Sequence, residues 1–206
     1  MNLKKILYII VPLIVCFSLP VFATQSIEKT SVEPMEKLSG TFAKGIEIIT
    51  DDSNASADNN GTARQHLWNI INEIFDFNRI SMLAVGPGWK KFNTKEKENF
   101  IESFTKFLGN TYLDKIEEAY DNDKIQYLKQ NIINKKKATV STLVLRQNTQ
   151  IRVDYSMINI NGNWKVYDVK VEGVSLVQNY RNQFANLLLN ESPAKLIERI
   201  KKKNIK

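Results

Sequence analysis

One cysteine and one histidine are the only thiol and the only imidazole in this chain of 206 residues. Cys16 stands alone, so no intrachain disulfide and no cysteine-based zinc site can be assembled. His66 is the single imidazole, which excludes a histidine ligand cluster and would force any Ser-His-Asp apparatus onto that one side chain. Glycine (8) and proline (5) are too sparse for a collagen-like repeat or a long low-complexity linker. No Gly-x-Ser-x-Gly elbow supplies a nucleophile, and no phosphate-binding or EF-hand loop occurs. The absences point away from an enzyme, a resident cofactor and a metal.

What comes first in the chain is an address. Lys4 and Lys5 precede an apolar run from Ile6 to Leu19, and Val21-Phe22-Ala23 ends it on a small residue. That is the layout of a secretory signal peptide over 1–23. The run is short of the ~20 residues a spanning helix needs, and Pro12 and Pro20 interrupt it. Cleavage would remove Cys16 and take the net charge from +7 to +5, because two lysines leave and no acidic residue goes with them. The exported part, 24–206, would hold together by its core alone.

Within 24–206 the apolar period is first helical, then alternating, then helical again. Pro34 opens a helix to Thr50 with Leu38, Phe42, Ile46 and Ile49 on one side. The polar stretch 51–60 (DDSNASADNN) is a loop. A second helix over 62–75 carries Leu67, Ile70, Ile71 and Ile74, and a short third over 78–85 stops at Gly86-Pro87-Gly88. Thr94 caps a long helix with the stripe Ile101, Phe104, Leu108, Tyr112 and Ile116. Strands follow, weak at 124–129 and stronger at 138–146, 149–160 and 164–172. A helix over 175–189 buries Val177, Tyr180, Phe184 and Leu188. Pro193 opens a last helix that runs into a basic tail with Lys195, Arg199, Lys201, Lys202, Lys203 and Lys206. One α+β domain is the simplest account: a curved antiparallel sheet of about four strands wrapped by amphipathic helices.

Strand registers follow from parity. A two-residue turn at Gln147-Asn148 sets Val144 against Ile151, Thr142 against Val153 and Val140 against Tyr155. A three-residue loop at Asn161-Gly162-Asn163 sets Met157 against Tyr167, Tyr155 against Val169 and Val153 against Val171, with Asp154 facing Lys170 on the other side. A two-residue Asn-Gly turn would pair Tyr155 with Asp168 and mix polar with apolar on both faces, so the three-residue loop is expected. One face then reads Val140, Val144, Ile151, Val153, Tyr155, Met157, Tyr167, Val169, Val171. Buried phenols at Tyr127, Tyr155 and Tyr167 need partners, or line a space that is not fully packed.

The remaining polar residues have plain readings. His66 lies early in a helix with no nucleophile beside it. The basic tail is a solvated, frayed terminus or a patch attracted to anionic headgroups; outside the cytoplasm a nucleic-acid partner is not expected.

Three segments carry a resemblance: 74–89 (IFDFNRISMLAVGPGW), 100–112 (FIESFTKFLGNTY) and 162–184 (GNWKVYDVKVEGVSLVQNYRNQF). Together they resemble the MlaC family, periplasmic phospholipid-binding proteins also described as toluene-tolerance auxiliary components of an ABC transporter. The resemblance implies a periplasmic carrier, no enzyme, with acyl chains held in an apolar cavity between curved sheet and helices. It would shuttle a phospholipid between an inner-membrane ABC transporter with an MCE-domain component and an outer-membrane lipoprotein complex, maintaining outer-membrane lipid asymmetry. Its lipid-binding residues would come from the apolar sheet face, namely Val140, Val144, Val153, Tyr155, Met157, Tyr167, Val169 and Val171, and from Leu83, Phe104 and Leu108 opposite. Two other readings stand beside it: an exported adaptor with a solid core, and an enzyme on a similar cone-shaped scaffold using Tyr155, Asp168 and His66.

Overall fold

The computed structural model describes residues 32–50, 60–119, 123–146 and 149–203. The expected signal peptide, residues 51–59 of the polar loop, the Gln147-Asn148 turn and Lys206 lie outside them. In chain order come α1 (Pro34–Thr50), α2 (Asn60–Ile74), α3 (Phe77–Val85), a 3-10 turn (Gly86–Lys91), α4 (Thr94–Ala119), β1 (Lys124–Asn134), β2 (Lys137–Arg146), β3 (Thr149–Ile160), β4 (Asn163–Val171), β5 (Val174–Ser175), α5 (Leu176–Asn190) and α6 (Pro193–Lys203). The sheet is open and antiparallel, in the order β1-β2-β3-β4-β5. The α+β class stands, with a two-residue fifth strand that pattern reading did not find.

Local chemistry fixes the helix starts. Asp76 Oδ1 accepts from Arg79 N at 2.9 Å at the head of α3. Ser175 Oγ accepts from Gln178 N at 3.0 Å at the head of α5. At α4 the cap is Asn93, not Thr94: Asn93 Oδ1 accepts from Glu96 N while Asn93 N donates to Glu96 Oε2, both at 2.9 Å. That reciprocal box satisfies two donors at once, which a threonine one residue later could not do.

The β2–β3 register is as parity required, with Val140 opposite Tyr155, Thr142 opposite Val153, Val144 opposite Ile151 and Arg146 opposite Thr149. The β3–β4 hairpin corrects the expected loop. Ile160 pairs with Asn163, so the turn has two residues, Asn161 and Gly162. Both have positive φ, 52° and 88°, the conformation that suits an Asn-Gly hairpin turn. Met157 therefore pairs with Val166 rather than Tyr167. A bulge between Ser156 and Met157 then skips Tyr167, and beyond it Tyr155 faces Val169, Asp154 faces Lys170 and Val153 faces Val171. Turn chemistry and buried-face parity conflict by one residue, and the bulge absorbs it.

Two cores result. The helical core joins α3, α4, α5 and α6 around Phe100, Phe104, Tyr180 and Phe184. Phe104 lies 5.1 Å from Tyr180 and 5.2 Å from Phe184, ring centre to ring centre and edge to face. The second core places Leu38 of α1 and Ile74 of α2 on Ala138, Val140, Met157, Trp164 and Val166 of the sheet. Helix α6 is docked through buried Leu196, Ile197 and Ile200 rather than frayed.

Candidate functional site: an apolar cavity between the two cores

Between the cores lies a cavity of about 620 Å³. Its walls come from α1 (Phe42, Ile46, Ile49), α2 (Leu67, Trp68, Ile70, Ile71), α4 (Leu108, Gly109, Tyr112, Leu113) and the sheet (Ile125, Val144, Val153, Tyr155, Val169, Val171). The geometry follows from the sequence by periodicity. Residues three and four apart bring Phe42, Ile46 and Ile49 to one side of α1, and alternation brings Val153, Tyr155, Val169 and Val171 to one face of the sheet.

Much of the lining is half-buried where a solid core would be sealed. Phe42, Ile46, Ile49, Ile70, Ile71, Val144 and Val169 are all of intermediate exposure. By contrast Leu38, Val140, Met157 and Phe104 are fully buried. The isoleucines of α1 and α2 border this space without closing it.

Approach of α2 to α4 depends on one small residue. A Cβ on Gly109 would lie 2.9 Å from the Trp68 ring, so glycine lets the indole rest against α4. Thr41, Asp168, Ser175 and Asn179 also border the space, and two further polar features interrupt the apolar wall. Burial pushes the Tyr155 phenol well above its ordinary range, against a weaker lowering by a hydrogen bond with Thr142, so it stays neutral. Arg146 Nε donates to both carboxylate oxygens of Asp123 at 3.0 Å, a bidentate pair with Arg146 partly exposed and Asp123 nearly buried.

Of the residues expected from sequence, Leu108, Val144, Val153, Tyr155, Val169 and Val171 line this cavity. Val140 and Met157 share the same sheet face but are sealed in the core beneath α1 and α2. Phe104 lies inside the aromatic core, and Leu83 packs against that core. Tyr167 is the bulge residue. The α1 and α2 walls were missed. Their stripes were visible, but nothing in the sequence says which helices lie over the open half of a sheet. A usable signal is composition: α4 and α5 carry aromatics that pack on one another, while α1 and α2 carry isoleucines.

His66 is not gathered with Tyr155 and Asp168. Tyr155 pairs with Val169 and Asp168 with Ser156, yet both Tyr155 and Asp168 border the cavity, which corrects the expectation from parity that Asp168 lies away from it. Asp168 accepts from Ser175 Oγ at 2.7 Å and Val177 N at 3.1 Å, holding the start of α5. His66 is exposed on α2. Among the described residues no group of three or more His, Cys, Asp or Glu is placed to hold a metal ion, and no helix is long and apolar enough to cross a membrane.

Comparison with known proteins gives concordant results. The family model for the MlaC protein matches residues 40–202. The toluene tolerance protein ttg2D of Pseudomonas putida is 26% identical over 161 residues, which cover 75% of this chain and 73% of that protein. A solved structure of the phospholipid-binding protein from Ralstonia solanacearum, in complex with a phospholipid, has the same fold, with a TM-score of 0.66. It is 20% identical, and the match covers 80% of this chain and 95% of that one.

Proposed function

This chain belongs to the MlaC protein family, and from that premise we propose that it is a periplasmic phospholipid carrier that takes acyl chains into the cavity between sheet and helices. The observation that carries this reading is the cavity itself, about 620 Å³ and walled mostly by aliphatic and aromatic side chains. Exposing a hydrocarbon chain to water costs about 0.8 kcal/mol per CH₂. A protein that encloses the tails removes most of that barrier to crossing an aqueous gap, with no covalent chemistry.

The lining residues Val153, Tyr155, Val169 and Val171 from the sheet, Leu108 from α4, and Phe42, Ile46, Ile70 and Ile71 from α1 and α2 would contact the tails. The wall is too apolar to solvate a headgroup, so the headgroup stays at the rim. In this reading residues 1–23 direct export and are removed. The loaded protein moves between an inner-membrane MCE-domain ABC transporter complex and an outer-membrane lipoprotein complex. An adaptor with a solid core is disfavoured because much of the lining is half-buried around open space.

The test is lipid extraction and mass spectrometry of protein purified without detergent. Stoichiometric diacyl phospholipid supports the carrier; a lipid-free protein that takes up none from vesicles contradicts it.

A further inference from the structure

The net positive charge of this protein is not spread over it. Residues 124–153 contain seven Lys and Arg and no Asp or Glu, more than the whole excess of +5 carried by 24–206. Arg146 pairs with Asp123 and Arg152 with Asp154. The other five are Lys124, Lys129, Lys135, Lys136 and Lys137, and none has an ion-pair partner among the described residues. Three of the five basic residues of α6 differ, because Lys195 and Lys202 are bound to Glu198 and Arg199 to Glu191.

Three of the unpaired lysines sit at the tip of the β1–β2 hairpin, where all residues 131–137 are exposed. Beside them Ile132 and Ile133 are 47% and 57% exposed. The register shifts between Ile132 and Asn134, so Ile133 is the extra residue of a bulge and is pushed out of the ladder. The tip is held in shape. Asn134 Oδ1 accepts from Lys136 N at 2.9 Å, and Lys136 O accepts from Asn159 N at 2.9 Å.

From this geometry we infer that the β1–β2 tip is a docking element for an anionic phospholipid bilayer surface, extending the carrier reading to how the protein meets a membrane. Two exposed isoleucines on a preformed turn enter the boundary between headgroups and acyl chains, while the lysine heads reach lipid phosphates and their stems stay in the interface. A protein partner is the weaker match, since lysine is depleted in protein–protein interfaces. The tip lies roughly 30 Å along β1 from Ile125 at the cavity wall. Attachment there therefore leaves the cavity rim unobstructed for a partner that receives or supplies lipid.

The test is flotation of the mature protein with phosphatidylcholine vesicles, with and without phosphatidylglycerol. Wild type is expected to float with the anionic vesicles only, and less as salt rises. Each lysine near an anionic surface strengthens attachment roughly fivefold, so Lys135→Gln/Lys136→Gln/Lys137→Gln should bind on the order of a hundredfold more weakly. Ile132→Ser/Ile133→Ser should lose the part of the attachment that survives high salt. These side chains are exposed, so thermal melting should be unchanged. Equal binding to neutral vesicles, no binding by wild type, or wild-type binding by both variants would overturn the inference. So would retention on soluble polyglutamate without flotation, which would assign the tip to an acidic protein. Phospholipid content, measured on the same preparations, separates the two ideas. Lost flotation with retained cargo supports the tip; a wild type without cargo counts against the carrier and leaves docking to be judged on flotation alone.

Discussion

Val153 and Phe104 separate cavity wall from solid core at the scale of single residues. Both are buried, at 7% and 0% exposure, and both were read from the sequence as facing lipid. Val153 borders open space, so Val153→Trp should fill it, lower the bound phospholipid several-fold and leave thermal melting nearly unchanged. In a solid core the same change would cost about 1–3 kcal/mol by overpacking. Phe104 touches Phe100, Phe107, Tyr180 and Phe184. Phe104→Ala should cost about 3–5 kcal/mol, while the fraction that still folds keeps its normal lipid content. Chemical denaturation and lipid analysis on the same two preparations check both outcomes. A Val153→Trp protein with normal lipid content and reduced stability would mean that the space beside Val153 is not where the tails lie.

Among the elements, the β4 bulge and the α1–α2 contact carry the clearest consequences. Pairing is regular on both sides of Tyr167, so deleting that one residue should leave a folded protein with Val169 and Val171 still on the cavity face. With Tyr167 paired to Met157 instead, deletion would turn every later side chain of β4 to the wrong side. Circular dichroism and phospholipid content distinguish the two. The α1–α2 contact is tied by the salt bridge from Lys37 Nζ to the Glu73 carboxylate. The hydrogen bond and charge of Lys37 hold the Glu73 carboxyl below its ordinary 4.5. A depressed folded-state value means that the contribution is fully present above about pH 4.5 and is lost as the pH falls through the lower folded value. The pair is half-exposed, so its effect on global stability is small. Its loss should show as faster lipid exchange in acid, and Glu73→Gln should exchange at that rate at neutral pH. Exchange independent of pH in wild type would contradict the role of this pair.

The same elements show what a sequence can disclose. Helix α1 and the β2–β3 register were readable because each rests on one period and one buried face. The β3–β4 hairpin was readable only in its outcome. Tyr155 does face Val169, but through a two-residue turn plus a bulge, because a pattern of faces constrains parity and not where an extra residue is absorbed. The cavity walls of α1 and α2 were not readable. Ile46 and Ile71 look like core residues until the tertiary arrangement places them on the cavity wall.

For the whole molecule the two cores have separate roles. The aromatic core of α3 to α6 is closed and gives rigidity. The sheet with α1 and α2 is closed at one end, around Val140 and Met157, and open at the other, around Val144 and Val171. A carrier needs both, since the cavity must persist when empty and its walls must yield when loaded. The charged hairpin β1–β2 extends past the closed end, away from the open one. The measurement that bears most directly on this account is native mass spectrometry of the mature protein, purified from cells without detergent. The account predicts a main species heavier than the polypeptide by one phospholipid, released on activation, and absent or much reduced in Val153→Trp. A single species at the polypeptide mass, unchanged after incubation with phospholipid vesicles, would contradict it.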